Sequence, residues 1–325
     1  MKRIVIFFLP IFYLLFSSCE KEELPITPHD PGDIITATVN MDASYKWQIY
    51  FDLKTNSIVS QNLKSDWDLG FEASTAGFHV VLNTSKGMYA WNTGDTNFAT
   101  ISDTLGFSFH KKWDETSGNL DSTAIGDWRN TGNVFIIDRG YNELGLHQGF
   151  RKIIFQSVDT MNYIIQFANM DGSDEAIYQI TKNDNYNFTF FSFNNLGETK
   201  IIEPPKSDWD ICFTQFTYIF YDEIPITPYL VTGCLLNRYN TQAKMDSAID
   251  FNDIDYDYAV SKTLSILINE IGYGWKGFNG VSYVTYPEMN YIILDSEGEY
   301  FKLHFIDFYN SLGVKGNPTF EFQRL

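Results

Sequence analysis

Lys64-Ser65-Asp66-Trp67-Asp68 occurs again 142 residues later as Lys206-Ser207-Asp208-Trp209-Asp210. Each copy runs on into an aliphatic residue, a small residue and Phe: Leu69-Gly70-Phe71 and Ile211-Cys212-Phe213. Identity over a whole motif in matched context marks an internal repeat, and a repeat governs the reading of everything around it. Alternation predicts a strand with Trp67, Leu69 and Phe71 on one face and Asp66, Asp68 and Gly70 on the other. Two carboxylates beside a Trp suggest an acid/base pair, but no nucleophile or partner base accompanies them. They read instead as turn or backbone hydrogen-bonding groups around a core Trp.

Outward from the motif the repeat persists. Upstream, Tyr45 to Leu53 and its turn Lys54-Thr55-Asn56 correspond to Tyr186 to Phe193 and the turn around Asn194, Asn195 and Gly197. Both read as hairpins that deliver the chain to the Trp-Asp segment. Downstream, Ile125-Gly126-Asp127-Trp128 corresponds to Ile271-Gly272-Tyr273-Gly274-Trp275, and Phe135-Ile136-Ile137-Asp138 to Tyr291-Ile292-Ile293-Leu294. Phe150 to Phe155 corresponds to Phe301 to Phe305. The fold class is therefore all-β, as two tandem duplicated antiparallel β-sandwich-like domains over 34–183 and 184–325. Aromatics at 17% and charged residues at 20% favour strands, because aromatic side chains fit a half-buried pleated surface.

A net charge of −18 argues against nucleic acid as a partner. Met1-Lys2-Arg3 followed by apolar Ile4 to Phe16 is too short to span a bilayer, so residues 1–18 read as a signal peptide. Phe16-Ser17-Ser18-Cys19 resembles a bacterial lipobox with Cys19 as the lipidated residue. Residues 19–33, with Pro25, Pro28 and Pro31, then form a stiff polar tether. Only Cys212 and Cys234 remain, allowing at most one disulfide, which spacing alone does not decide. Asp250 to Asp257 lacks the Gly and closing Glu of a helix-loop-helix calcium site, and no phosphate loop, nucleophile elbow or zinc-peptidase motif is present. No metal site or catalytic group is expected, and the chain does not read as an enzyme.

The Tyr-Phe-x-Leu hairpin, the Trp-Asp segment and the ending Phe301 to Asn310 with Gly313, Lys315-Gly316 and Pro318-Thr319-Phe320 resemble HmuY-type haem-binding lipoproteins of the Bacteroidetes. The resemblance spans nearly all of the chain after the tether, as two HmuY-like copies. It implies an all-β protein held in the outer membrane through Cys19 and exposed at the cell surface. Glu20-Lys21-Glu22-Glu23 resembles the export signal of such lipoproteins. The implied activity is capture of haem or a related small molecule for transfer to an outer-membrane receptor. The family's iron ligands are His or Met, which makes His110, His147 and Met289 the haem-ligand candidates here. His79 and His304 read as strand residues, and His29 lies in the tether. The alternative is a surface glycan- or protein-binding β module without haem ligation, using exposed aromatics such as Tyr89 and Trp91.

Overall fold

Both copies of the motif form a turn rather than the beginning of a strand in the computed structural model, which describes residues 31–325. Asp66 Oδ2 accepts from Leu63 N–H at 2.9 Å and closes the first turn. Trp67 consequently leaves the face that alternation assigns to it. Leu69 and Phe71 enter one core and Trp67 another. Ile211, Phe213 and Trp209 divide in the same way.

Three strands precede the first motif: β1 (Ile35–Thr38), β2 (Trp47–Asp52) and β3 (Ser57–Leu63). Between the motifs run β4 (Leu69–Glu72), β5 (Val80–Leu82), β6 (Tyr89–Asn92), β7 (Val134–Asp138), β8 (Phe150–Val158), β9 (Asn162–Ala168), β10 (Ala176–Thr181), β11 (Phe188–Ser192) and β12 (Glu198–Lys200). After the second motif come β13 (Ile211–Phe220), β14 (Thr227–Leu236), β15 (Gln242–Asp246), β16 (Lys276–Phe278), β17 (Tyr283–Thr285), β18 (Asn290–Leu294), β19 (Tyr300–Tyr309) and β20 (Lys315–Arg324). Two short helices, α1 (Phe107–His110) and α2 (Tyr256–Val260), lie in equivalent excursions. The described residues are thus nearly all β, at 42% strand and 7% helix.

Strands β4 to β12 build two antiparallel sheets without help, ordered β12-β11-β4-β5 and β10-β9-β8-β7-β6. The flanking segments build β14-β13-β2-β3 and β1-β20-β19-β18-β15. Position by position these are the same two sheets, so the duplication is visible in the topology. The hairpins are exchanged between copies: β2–β3 pairs with β13 (Ile49 opposite Phe213), while β11–β12 pairs with β4 (Thr189 opposite Phe71). One sandwich is thereby nested within the other. The boundary expected between residues 183 and 184 falls between β10 and β11, inside the nested sandwich.

The motif Asp residues fasten this exchange. Asp68 Oδ2 accepts from Phe193 N–H at 2.9 Å, and Asp210 Oδ2 from Leu53 N–H at 2.8 Å, each reaching the hairpin of the other copy. Asn83 Nδ2 donates to the Lys64 and Trp67 carbonyls, and Asn237 Nδ2 to those of Lys206 and Trp209. These bonds satisfy backbone groups that burial would otherwise leave unpaired.

The four sheets stack in layers. Phe51, Phe213, Phe305 and Phe320 fill the core of the outer sandwich, and Phe71, Phe135, Phe155 and Phe191 that of the nested one. Burying each such ring contributes about 1.5–3 kcal/mol. A third core, with Tyr50, Trp67, Phe190 and Trp209, joins the two middle sheets back to back. Cys212 faces this joint and Cys234 faces the outer-sandwich core, so the two thiols lie on opposite sides of one sheet and are free. Among the described residues no helix is long and apolar enough to cross a membrane. Cys19 lies outside the described residues.

Candidate functional site

Beside the exposed face of the nested sandwich's outer sheet lie two of the histidines, His110 in α1 and His147 in the β7–β8 loop. Tyr89, Asp138 and Phe150 form one row across β6, β7 and β8. Ala90, between Tyr89 and Trp91, points into the core, so Tyr89 and Trp91 project outward together. Over this face runs the excursion between β6 and β7. Lys152, buried in the sheet, anchors it by donating to the Phe98 and Ile101 carbonyls at 3.0 and 2.9 Å. Helix α1 then seats Phe107 edge-on against Phe150, ring centroids 5.2 Å apart.

His110 ends α1 and stacks on Trp91 at 5.2 Å with an interplanar angle of 18°. His147 lies in the β7–β8 loop, its ring 5.4 Å from Phe150. Phe150 therefore touches both the His147 ring and Phe107, three residues before His110 in α1. His147 Nε2 stands 2.7 Å from Asp138 Oδ1. A carboxylate only accepts, so Nε2 carries the proton and Nδ1 is left for another partner. This carboxylate–imidazole pairing is the arrangement that orients a metal-binding histidine.

The rim is apolar where it meets water. Leu105 is 85% exposed and Phe109 88% around α1, with Leu144 at 74% and Leu146 at 59% in the His147 loop. Large exposed apolar groups gathered at one place mark a binding surface.

The base of the His147 loop is held from within. Arg139 Nη2 reaches Asp68 Oδ2 at 2.9 Å, and Lys86 Nζ bonds Asp68 Oδ1. Burial opposes ionisation of Asp68, but the two cations outweigh it and hold its carboxyl below the usual range. Asp210 has no such cations, and burial pushes its carboxyl up to about 7. Gly140 follows Arg139 at φ +61°, and a Cβ there would meet the Lys86 carbonyl oxygen at 2.2 Å.

The outer sandwich repeats the scaffold without the imidazoles. Lys302 anchors the matching excursion through the Phe251 and Ile254 carbonyls at 2.8 and 2.9 Å. Tyr256 of α2 sits edge-on against Tyr300 at 5.7 Å, as Phe107 does on Phe150. Ala259 occupies the place of His110, and the β18–β19 turn, Asp295 to Glu299, is too short to hold a counterpart of His147.

Met289 is apart from both histidines, partly buried against the outer-sandwich core. His304 lies opposite Glu321 across the strands, with Nε2 and Oε2 3.0 Å apart, and stacks on Phe251. His79 Nδ1 pairs with Glu72 Oε2 at 2.6 Å. Among the described residues no group of three or more His, Cys, Asp or Glu side chains is placed to hold a metal ion. Phe107, Phe150 and Asp138 complete the rim but gave no sequence signal of their own.

The HmuY protein family profile matches residues 44–191 and 228–322. No curated protein matches the sequence. Among solved structures, apo PinO from Porphyromonas gingivitis aligns at 11% identity and TM-score 0.34, covering 90% of this chain and 97% of that one. The apo HmuY analogue of Tannerella forsythia aligns at 11% identity and TM-score 0.24, covering 91% and 98%.

Proposed function

The chain belongs to the HmuY family, and on that footing we propose that it captures haem on the rim formed by His110 and His147. The observation carrying this reading is that His147, oriented by Asp138, packs on Phe150, which meets Phe107 of the helix that ends in His110, beside exposed apolar side chains. Donor set and surroundings fit the group, since imidazole nitrogen is a common haem-iron ligand and the macrocycle is a flat apolar body. Iron in haem, when bound, supplies coordination positions for nitrogen donors. His147 presents Nδ1, His110 its stacked ring, and Trp91, Phe109, Leu105, Leu144 and Leu146 offer apolar contact. We place the site in the nested sandwich alone, because the equivalent positions of the outer one carry Ala259 and a short turn. The protein would act as a carrier rather than an enzyme, tethered to the outer membrane through Cys19 and handing haem to a membrane receptor.

Titrating the mature chain with haemin tests this. A sharpened and shifted Soret band that weakens at least tenfold in apparent affinity in both His110→Ala and His147→Ala, with Met289→Ala unchanged, is the expected result. A spectrum no different from free haemin ends the haem reading. The exposed Leu105, Phe109 and Leu144 would then favour the second reading, a surface module for a protein partner.

A further inference from the structure

A cleft of 330 Å³ opens at one end of the nested sandwich, between β8 and the turn that follows β11. Arg151, Asp174, Phe167, Phe193 and Leu196 line it. Arg151 lies opposite Ile137, a core residue, so its side chain leaves β8 on the inward face with those of Ile153 and Phe155. Phe150, on which His147 packs, leaves on the other face.

The repeat shows how unusual an arginine is here. Ile137 corresponds to Ile293, and the residue opposite Ile293 is Phe301, 1% exposed in the outer-sandwich core. Two residues beyond Ile137 and Ile293, Arg139 corresponds to Asp295. Lys86 and Asn240 each follow an equivalent residue, Asn83 or Asn237, by three positions. The nested copy thus carries Lys86, Arg139 and Arg151 where the outer copy carries Asn240, Asp295 and Phe301. Asp68 is shared by Lys86 and Arg139 and is not left for Arg151.

The Arg151 guanidinium is short of partners. Its Nη1 donates to the Phe150 carbonyl at 2.9 Å, and among the described residues no other acceptor engages it. The neighbouring polar groups are committed elsewhere. Asp174 accepts from Asn169 Nδ2 at 3.0 Å, and Asn194 Oδ1 accepts from Arg139 Nη2 at 3.0 Å. Burial and then the charge of Arg139 lower the Arg151 guanidinium from its usual value, against the more distant pull of Asp68, Asp174 and Asp171. Its unengaged nitrogens are not sealed from solvent. A half-buried cation without an anion is costly, and in a chain of net charge −18 its retention points to an anion from outside.

We propose that this cleft is a second binding site, for a small carboxylate whose two oxygens take the unengaged N–H groups of Arg151. The planar guanidinium fork matches a carboxylate in that geometry. A monoanion suits the cleft better than a phosphate dianion, because Asp174 lines it too. The site is independent of the haem reading, since Arg151 faces away from the histidine rim.

Butyrate serves as the probe, butyramide as the uncharged control, and sodium chloride at matched ionic strength reports general salt effects. Binding is followed in proton–nitrogen correlation spectra of the mature chain, through the Arg151 Nε–H signal and the backbone amides of residues 194–196. The Arg151 signal is identified by its loss in Arg151→Gln. With butyrate these signals should move saturably, and butyrate should bind about tenfold or more tightly than butyramide, the difference expected of a charge-assisted pair. Arg151→Phe, which installs the residue of the other copy, should erase that difference as read from the backbone amides. Arg151→Gln gives the same reading if Arg151→Phe does not fold. An Arg151 signal that stays in place, a chloride response equal to that of butyrate, butyramide binding as tightly as butyrate, or a folded variant that keeps the preference overturns the proposal.

Discussion

Asp68 and Asp210 occupy the same position in two copies of one motif and differ in charge state for reasons outside the motif. Asp68 is ionised against Lys86 and Arg139. Asp210 has only the Leu53 N–H as its neighbouring donor and is shifted to about 7 by burial. Asp68→Asn leaves two buried cations without their anion and should cost about 3–5 kcal/mol. Asp210→Asn resembles the neutral form already favoured in acid and should cost far less there. The pH dependence follows with opposite signs. The folded carboxyl of Asp210 lies above its ordinary 3.8, so its contribution is complete in acid and lost as pH rises from about 4 through about 7. Asp114, at about 6, and Glu203, at about 7, push the same way. That of Asp68 lies below 3.8, so its contribution is present at neutral pH and lost only in acid. Unfolding free energies from urea titrations between pH 5 and pH 8 should fall for the parent chain and fall less steeply for Asp210→Asn, by up to about 1.4 kcal/mol per pH unit for the one proton removed. Equal slopes would refute the assignment. None of this was legible in Lys-Ser-Asp-Trp-Asp, because Lys86 and Arg139 come from other elements. That Asp66 accepts a backbone N–H was legible, since turn chemistry is local, whereas the N–H groups bound by Asp68 and Asp210 belong to the hairpin of the other copy.

At the scale of elements, most strands could be read and their partners could not. The two hairpins present the same apolar pattern, with Phe51 in one and Phe191 in the other, so either satisfies a strand such as β4 or β13. Exchange between copies costs no burial and leaves no trace in periodicity. The motif alternates like a strand but forms a turn, because period-2 alternation continues through Lys64–Asp68 even though Asp66 closes a turn there. His110 and His147 were legible as candidates, but their placement on one side of the nested sandwich was not, since it depends on Phe107 meeting Phe150 across an excursion of irregular chain. The loop that carries His147 leaves β7 through Gly140, whose positive φ and contact with the Lys86 carbonyl exclude a side chain. Gly140→Ala should destabilise the fold by about 2 kcal/mol or more, combining left-handed strain with a backbone clash. It should also weaken haemin binding by displacing His147. Thermal unfolding and a haemin titration check both parts, and an unchanged melting temperature would contradict the packing described for this turn.

At the scale of the whole molecule, the nesting determines which pieces stand alone. Cutting at residue 183 or 184 separates β11–β12 from β4 and leaves β13 without β2, so each half loses a hairpin from its inner sheet. Cutting instead at the motifs releases β4 to β12, which hold both sheets of one sandwich and its core of Phe71, Phe135, Phe155 and Phe191. The fragment 64–205 keeps Asp68 with Lys86, Arg139 and the Phe193 N–H, and it keeps both histidines of the rim. Its cost is exposure of Trp67, Val81, Phe188 and Phe190, which the intact chain buries at the middle joint. That surface favours self-association but does not remove the fragment's own core. We therefore expect 64–205 to unfold cooperatively and to give the same haemin spectrum as the mature chain, whereas 34–183 and 184–325 expressed alone should lack a cooperative transition. Circular dichroism melts and haemin titrations of the three fragments decide it. A cooperative 34–183 would mean that β4 can find a substitute for β11 within its own half, and the hairpin exchange would then be one of two accessible pairings rather than a requirement of the fold.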